Sequence, residues 1–257
     1  MSVRVGTAGW SIPTASALSF PGDGFHLERY SRVLDCAEIN SSFHRPHAQS
    51  VYARWASLTP RGFRFAVKLP RAITHEGELR RARAPLEVFL EQIAGLRSKL
   101  GPLLVQLPPS LAFDARVARA FFDLLRGRHD GPVVCEPRHP TWFEPRAVKA
   151  LIAHRVSLVA TDPSRIADAK RPGAWLGPKG DGVGAVVYYR LHGSPRKYWS
   201  RYSPERIAQW AAELNALHAS ANAWCIFDNT ASGAAIENAL EMRRACEDGG
   251  GRRAGDG

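Results

Sequence analysis

Eight short runs of β-favouring, largely apolar residues are spread through the chain, and helical periodicity or turn chemistry fills the intervals between them. The runs are VRVGTA, CAEIN, FRFAVK, LLVQL, VVCEP, VSLVATD, VVYYRLH and WCIFDN. Strands separated by helices pair in parallel through crossovers rather than as hairpins, and the sheet they form is covered by those helices. Leu86, Phe89, Leu90, Ile93 and Leu96 recur at intervals of three and four, as do Ile207, Trp210, Ala211, Leu214 and Leu217. Asp114 precedes one helix as an N-cap, Ser203-Pro204 supplies a cap and a first-turn proline to another, and Ser232 caps the last. About eight such units within 257 residues predict one α/β domain, a (β/α)8 TIM-like barrel. A doubly wound open sheet would carry a GxGxxG loop after its first strand, and GTAGWSIP lacks that spacing. The barrel is expected to span residues 1–248, and the tail GGGRRAGDG at 249–257 to be disordered, having nothing apolar to bury. The stretch AKRPGAWLGPKGDGVG reads as a long loop over the barrel mouth.

Hydrophobic residues make up 45% and charged residues 23%, the balance of a soluble globular protein. MSVRVGTAGW lacks a signal-peptide pattern and no apolar run reaches transmembrane length, so the expected location is cytoplasmic, with no membrane partner. Cys36, Cys135, Cys225 and Cys246 form no CxxC pair and read as core thiols. The net charge of +11, partly local to Arg80, Arg81, Arg83 and the tail, favours anionic partners: a small anionic ligand first, nucleic acid second.

In a barrel, alternate strand residues face the axis and the C-terminal strand ends form the active-site mouth. Phe65 and Val67 belong against the helices, which turns Lys68 inward. The same alternation sends Glu38, Asn40, Gln106, Glu136, Arg138, Asp162, Arg190, His192 and Asp228 toward the axis. These polar residues gather at one end of their strands, where His139 crowds beside Arg138. A structural salt bridge is the competing role for Glu136 and Arg138, charge balancing for Lys68, and loop packing for His192. Burying so many ions together costs several kcal/mol per ion unless they are well paired, which favours function for the group.

The segment YYRLHGSPRKYWSRYSPER interleaves Arg190, Arg196, Lys197, Arg201 and Arg206 with Tyr198, Trp199 and Tyr202, offering cations for an anion and ring faces for stacking. DNTASGAAIENA, with Asn229, opens the last helix to a close anion. Glu38, Glu136, Asp162, His192 and Asp228 form a conceivable metal set, but no HxH or HExxH spacing appears and Lys68, Arg138 and Arg190 share the cavity, so no metal is expected. GxSxG and P-loop motifs are absent, and no cofactor is expected.

Taken together, VGTAGWS, EINSSFHRP, FRFAVKLPRAITH, GPLLVQLPPSL, EPRHPTW, YYRLHGSPRKYWSRYS and FDNTASGAAIENA resemble the domain-of-unknown-function 72 family, also called YecE-like, over nearly the whole chain. The resemblance implies a TIM-like barrel and brings no reaction with it. Its motifs fall on Glu38, Asn40, Lys68, Thr74, His75, Gln106, Glu136, Arg138, Trp142, Arg190 and His192. His44, Pro137 and Asp228 depart from its usual pattern of tyrosine, an aromatic and asparagine. The expectation is a metal-independent enzyme for a small anionic, sugar-like substrate. Glu136, Glu38, Lys68 and His192 would serve catalysis. Asn40, His75, Gln106, Arg138, Trp142, Asp162, Arg190, Lys197, Tyr198, Tyr202, Asp228 and Asn229 would bind. A nucleic-acid binder or endonuclease-like barrel is the alternative, and a metabolite sensor the third.

Overall fold

A computed structural model describes residues 3–174, 186–216 and 222–251. Parallel strands run in chain order around a ring: β1 (Arg4–Ala8), β2 (Cys36–Ile39), β3 (Arg64–Lys68), β4 (Leu100–Gln106), β5 (Val133–Glu136), β6 (Val156–Leu158), β7 (Ala160–Asp162), β9 (Val186–Leu191) and β10 (Asn222–Phe227). The two-residue β8 (Gly173–Ala174) pairs antiparallel with β6. β10 returns to β1, with Val5 opposite Cys225, and this pairing joins the last strand to the first. The sixth stave is split at Val159. β6 pairs with β5, β7 pairs with β9, and the ring is thereby nearly closed. The expected TIM-like barrel is the observed one.

The expected loop over the mouth is corrected where it is described. β8 turns back along β6, Gly173 beside Leu158 and Ala174 beside Ser157, away from the strand ends; residues 175–185 lie outside the described residues. Around the barrel lie α1 (His26–Val33), α2 (Gln49–Ser57), α3 (Arg83–Ile93), α4 (Ala115–Arg126), α5 (Pro145–Ala153), α6 (Pro204–Ala216) and α7 (Ala234–Gly251). α7 thus enters the tail expected to be unstructured, and residues 252–257 are not described.

Local chemistry explains these helices. Asp114 Oδ1 accepts from the amides of Arg116 and Val117, and α4 then buries Ala118, Phe121, Phe122 and Leu125 on one face. α3 buries Leu86, Phe89 and Ile93; Leu96 is buried in the following turn, beyond the helix end. α6 buries Ile207, Trp210, Ala211 and Leu214, and Leu217 lies outside the described residues. The main apolar layer lies between sheet and helices. A smaller one fills the barrel with Cys36, Ala66, Leu104, Val134, Val159, Val186, Tyr188, Trp224 and Ile226. Its members alternate with the helix-facing residues, so the residue two positions after each of Cys36, Ala66, Leu104, Val134, Tyr188 and Ile226 is also inward: Glu38, Lys68, Gln106, Glu136, Arg190 and Asp228.

Candidate functional site

The polar layer is organised by Arg190, which is 1% exposed. Its Nε donates to Glu38 Oε2 at 3.0 Å and its Nη2 to Glu38 Oε1 at 2.7 Å, a two-pronged grip across the lumen. Nη2 also donates to Asp228 Oδ2 at 3.0 Å, and Nη1 donates to Glu136 Oε2. Tyr188, two residues before Arg190 and therefore on the same face, adds its hydroxyl to Glu38 Oε2 at 2.8 Å. Burial alone would push Glu136 up, but Arg190, His192 and Arg138 outweigh it and hold the carboxyl well below its usual range. Asp228 is likewise held low, burial opposing and Arg190 and His192 prevailing. Arg190 is raised in turn: burial works against the cation, and Glu38, Glu136 and Asp228 overcome it.

His192 Nδ1 lies 3.0 Å from Asp228 Oδ2, while its Nε2 is 3.4 Å from Glu136 Oε1 and not aligned for a hydrogen bond. The two groups are close, but a directional bond does not form. Arg138 Nε donates to Glu136 Oε1 at 3.1 Å and Arg138 Nη2 to the Tyr198 hydroxyl at 3.1 Å. Tyr198 also meets the His192 ring edge-on at 5.4 Å.

Arg138 stands between two clefts at the mouth. One, of about 440 Å³, is bordered by Glu136, Arg138, Thr161, Arg165, His192 and Lys197. The other, of about 400 Å³, is bordered by Asn40, Phe43, Lys68, Arg71, His75, Gln106, Arg138, Tyr198 and Asp228. Each cleft therefore has three Lys or Arg side chains and one carboxylate on its border. Among the described residues no carboxylate lies within 4.0 Å of Lys68 or Lys197. Lys68 Nζ instead sits 3.8 Å from the Phe43 ring centre. Burial, then the Arg190 charge, lowers Lys68 to about 8, against partial opposition from Glu136, Glu38 and Asp228. Lys197 is also lowered, by burial and by Arg138. His75, carried on the π-helical turn Ala72–Glu76 and bonded to Thr74 Oγ1 at 2.9 Å, is lowered to about 4 by burial and by Lys68, Arg71 and Arg138. It is neutral at pH 7. A cavity of about 530 Å³ at the opposite barrel end, lined by Val5, Asp35, Phe63, Arg243 and Cys246, is larger but remote from all these groups.

The sequence expectation thus brings Asn40, Lys68, His75, Gln106, Glu136, Arg138, His192, Lys197, Tyr198 and Asp228 to the mouth, with Arg190 beneath them. Five expectations are corrected. Glu38 is fully buried under Arg190 and Tyr188 and has no surface to offer a substrate. Asp162 faces outward, because Val159 faces the lumen and the alternation turns Thr161 in; its carboxylate approaches Arg206 at 3.7 Å. Trp142 is buried against Phe113, its indole donating to Leu111 O at 2.9 Å. Tyr202 packs outside the barrel on Trp210, and its hydroxyl donates to Asp162 O at 2.8 Å. Asn229 donates to Ser200 O and Asn238 Oδ1, tying a loop to α7.

The aromatic–basic segment divides in the same way. Arg201 pairs with Glu237 and Glu241 on α7, leaving Arg196, Lys197, Tyr198 and Trp199 near the mouth. His139 caps the short helix Pro140–Phe143 through its ring and stays out of both clefts. Sequence reading missed Thr161, Arg165 and Arg71. The first needed the register of a split strand; the arginines lie three residues beyond strands β7 and β3, where position alone marks them. Among the described residues, no group of three His, Cys, Asp or Glu side chains is arranged to hold a metal ion.

Comparison with known proteins agrees with the fold. YecE of Escherichia coli K12 is 31% identical over 144 residues, a match covering 55% of this chain and 50% of that protein, so the chain spans about half the length of this relative. YunF of Bacillus subtilis is 22% identical over 93% of each chain. Among solved structures, a DUF72 family protein from Thermotoga maritima superposes with a TM-score of 0.76 at 22% identity, covering 96% of this chain and all of the other. One from Enterococcus faecalis gives 0.75 at 24% identity, with 95% of each covered. The family model described as protein of unknown function DUF72 matches residues 4–254, and with barrel, strand-end motifs and relatives in accord, the chain belongs to that family.

Proposed function

We propose that the barrel mouth binds a small anionic substrate and that the protein is an enzyme acting on it without a metal ion. The observation that carries this reading is the surplus of cations around Arg138: Lys68 and Arg71 on one side, Arg165 and Lys197 on the other. Both lysines have their ammonium forms disfavoured before any ligand arrives. Burial disfavours these ammonium groups first and neighbouring arginines second, and an anion entering either cleft offsets both effects by pairing with the cations. Arg190 engages oxygens of Glu38, Glu136 and Asp228, the atoms a divalent ion would need.

The division of labour follows from access. Glu136, ionised and pinned between two arginines, orients Arg138; its depressed basicity makes it a weak proton acceptor. Lys68, on the border of its cleft with its ammonium form disfavoured, is the group placed to exchange a proton with a ligand. Thermal-shift titration with inorganic phosphate, hexose phosphates and uronic acids tests the reading. A ligand at a hundred times its Kd adds about 2.7 kcal/mol of stability. Stabilisation should be abolished in Arg138→Met, the residue both clefts share, and reduced in Lys197→Met, each compared with its own unliganded melt. No stabilisation of the wild type by any of these anions refutes it.

A second reading, nucleic-acid binding, draws on the rim. Trp199 is 46% exposed with the Arg196 guanidinium 4.6 Å from its ring centre, a face on which a base can stack. Oligonucleotide binding with a steep salt slope, lost in Arg196→Ala and Trp199→Ala, would select it.

A further inference from the structure

We propose that Lys68 is an imine-forming nucleophile and that its cleft takes small 2-oxo acids, Arg138 holding the carboxylate while the amine attacks the adjacent carbonyl. The inference rests on the anion-binding reading above and adds to it a reactive group and a substrate class.

Composition gives the first reason. The chain has six lysines against 29 arginines, yet the inward position at the end of β3 is a lysine. An arginine there would bind an anion at least as well, but it cannot lose its proton or act as a nucleophile. Contacts give the second reason. Among the described residues, Lys68 has no carboxylate within 4.0 Å and so does not fill the charge-balancing role open to a buried lysine; Arg190 fills it instead. Its amine rests on the Phe43 ring and opens into the cleft that Arg138, Asp228, His75 and Gln106 also border. A desolvated lysine beside fixed cations is the arrangement that activates an amine for carbonyl attack. With Lys68 lowered to about 8, about one-tenth of the protein carries the free amine at pH 7.

The step balances with groups already present. The lone pair of the neutral amine forms a bond to the carbonyl carbon, and the carbonyl π pair moves to oxygen, which takes up through solvent the proton that the Lys68 ammonium released on becoming the free amine. The nitrogen then gives up a proton to neutral His75, which borders the same cleft. That proton passes on to the carbinolamine hydroxyl, which leaves as water as the nitrogen lone pair forms the C=N bond of the iminium. No oxidant or second substrate is needed. A carboxylate next to the carbonyl satisfies the cationic cleft and places the electrophilic carbon one bond from the anchored group.

Reductive trapping tests the proposal on the whole chain. The protein is incubated with pyruvate, 2-oxobutyrate or 2-oxoglutarate and cyanoborohydride at pH 7.5, digested, and each lysine peptide is quantified by mass spectrometry. The Lys68 peptide should gain the mass of the oxo acid less one oxygen atom, at least tenfold faster than those of Lys99 or Lys149. Excess inorganic phosphate should suppress the gain. Lys68→Arg should remove it while leaving the far-UV circular dichroism of the wild type. Labelling of Lys68 no faster than Lys99 or Lys149 with all three acids overturns the imine. Calorimetric phosphate binding to the same preparation separates the two failures: binding without trapping rejects the imine alone, and neither rejects the anion site as well.

Discussion

Replacing Arg190 by methionine removes the one cation that three inward carboxylates share. Methionine fills much of the same volume, so the loss is electrostatic rather than steric. Four hydrogen bonds disappear: two to Glu38 and one each to Glu136 and Asp228. Deleting one partner of a buried ion cluster typically costs about 3–5 kcal/mol, because the remaining charges stay buried without compensation. For 257 residues the unfolding entropy is about 0.5 kcal/mol per degree, so the melting temperature should fall by about 6–10 °C.

The sign of the pH dependence follows from the carboxyls. In the wild type Glu136 and Asp228 are held low, so their stabilisation is complete above the unfolded values near 4 and is lost as pH falls through the folded ones. Without Arg190 the same groups are desolvated and crowded, and their pKa rises above the unfolded value. Acidification then relieves the variant, and the gap between the two proteins narrows from pH 7 to pH 4. Differential scanning calorimetry at both pH values measures it. A loss under about 1 kcal/mol, equal at both pH values, would refute the claim that Arg190 holds the polar layer together.

Other consequences can be measured separately. Lys68→Met should leave the melting temperature at pH 7 unchanged or raised while reducing phosphate stabilisation, since it removes an uncompensated cation from one of the two clefts; thermal denaturation with and without phosphate checks both. With its folded pKa below the unfolded one, Lys68 makes the wild type gain stability relative to Lys68→Met as pH rises from about 8 to 10, which urea titrations at those pH values will show. Anion binding should raise the Lys68 pKa and so take up protons near pH 8, giving calorimetric enthalpies that depend on the ionisation heat of the buffer. Trp142→Ala should cost about 3–5 kcal/mol in urea unfolding and leave phosphate affinity unchanged, because the indole serves the core and not the cleft.

The parts of this fold that depend on local periodicity were legible in the chain. Asp114 capping α4, the buried faces of α3 and α6, and the inward turn of Lys68, Gln106, Glu136 and Arg190 all follow from spacing within one element. The errors arose where a residue's direction is set by something distant. Asp162 reads as inward only if the sixth strand is continuous, and its division at Val159 comes from pairing with two different neighbours. Tyr202 and Trp142 look like mouth aromatics because they follow strand ends, yet each finds a carbonyl partner and an apolar bed outside the lumen. Glu38 shows a different limit. Its inward direction was correct, but depth along the axis depends on which layer Arg190 and Tyr188 occupy above and beside it. Alternation gives the side of a strand, whereas accessibility is settled by the neighbours that close over it.

Crystals soaked in selenate or tungstate, with the anion located by anomalous scattering, test the central claim most directly. The account predicts a peak at the barrel mouth, between Arg138 and Lys68 or between Arg138 and Lys197, displaced by pyruvate or phosphate. Anomalous peaks only on flank arginines such as Arg81 and Arg116, with both clefts around Arg138 vacant at saturating anion, would contradict it.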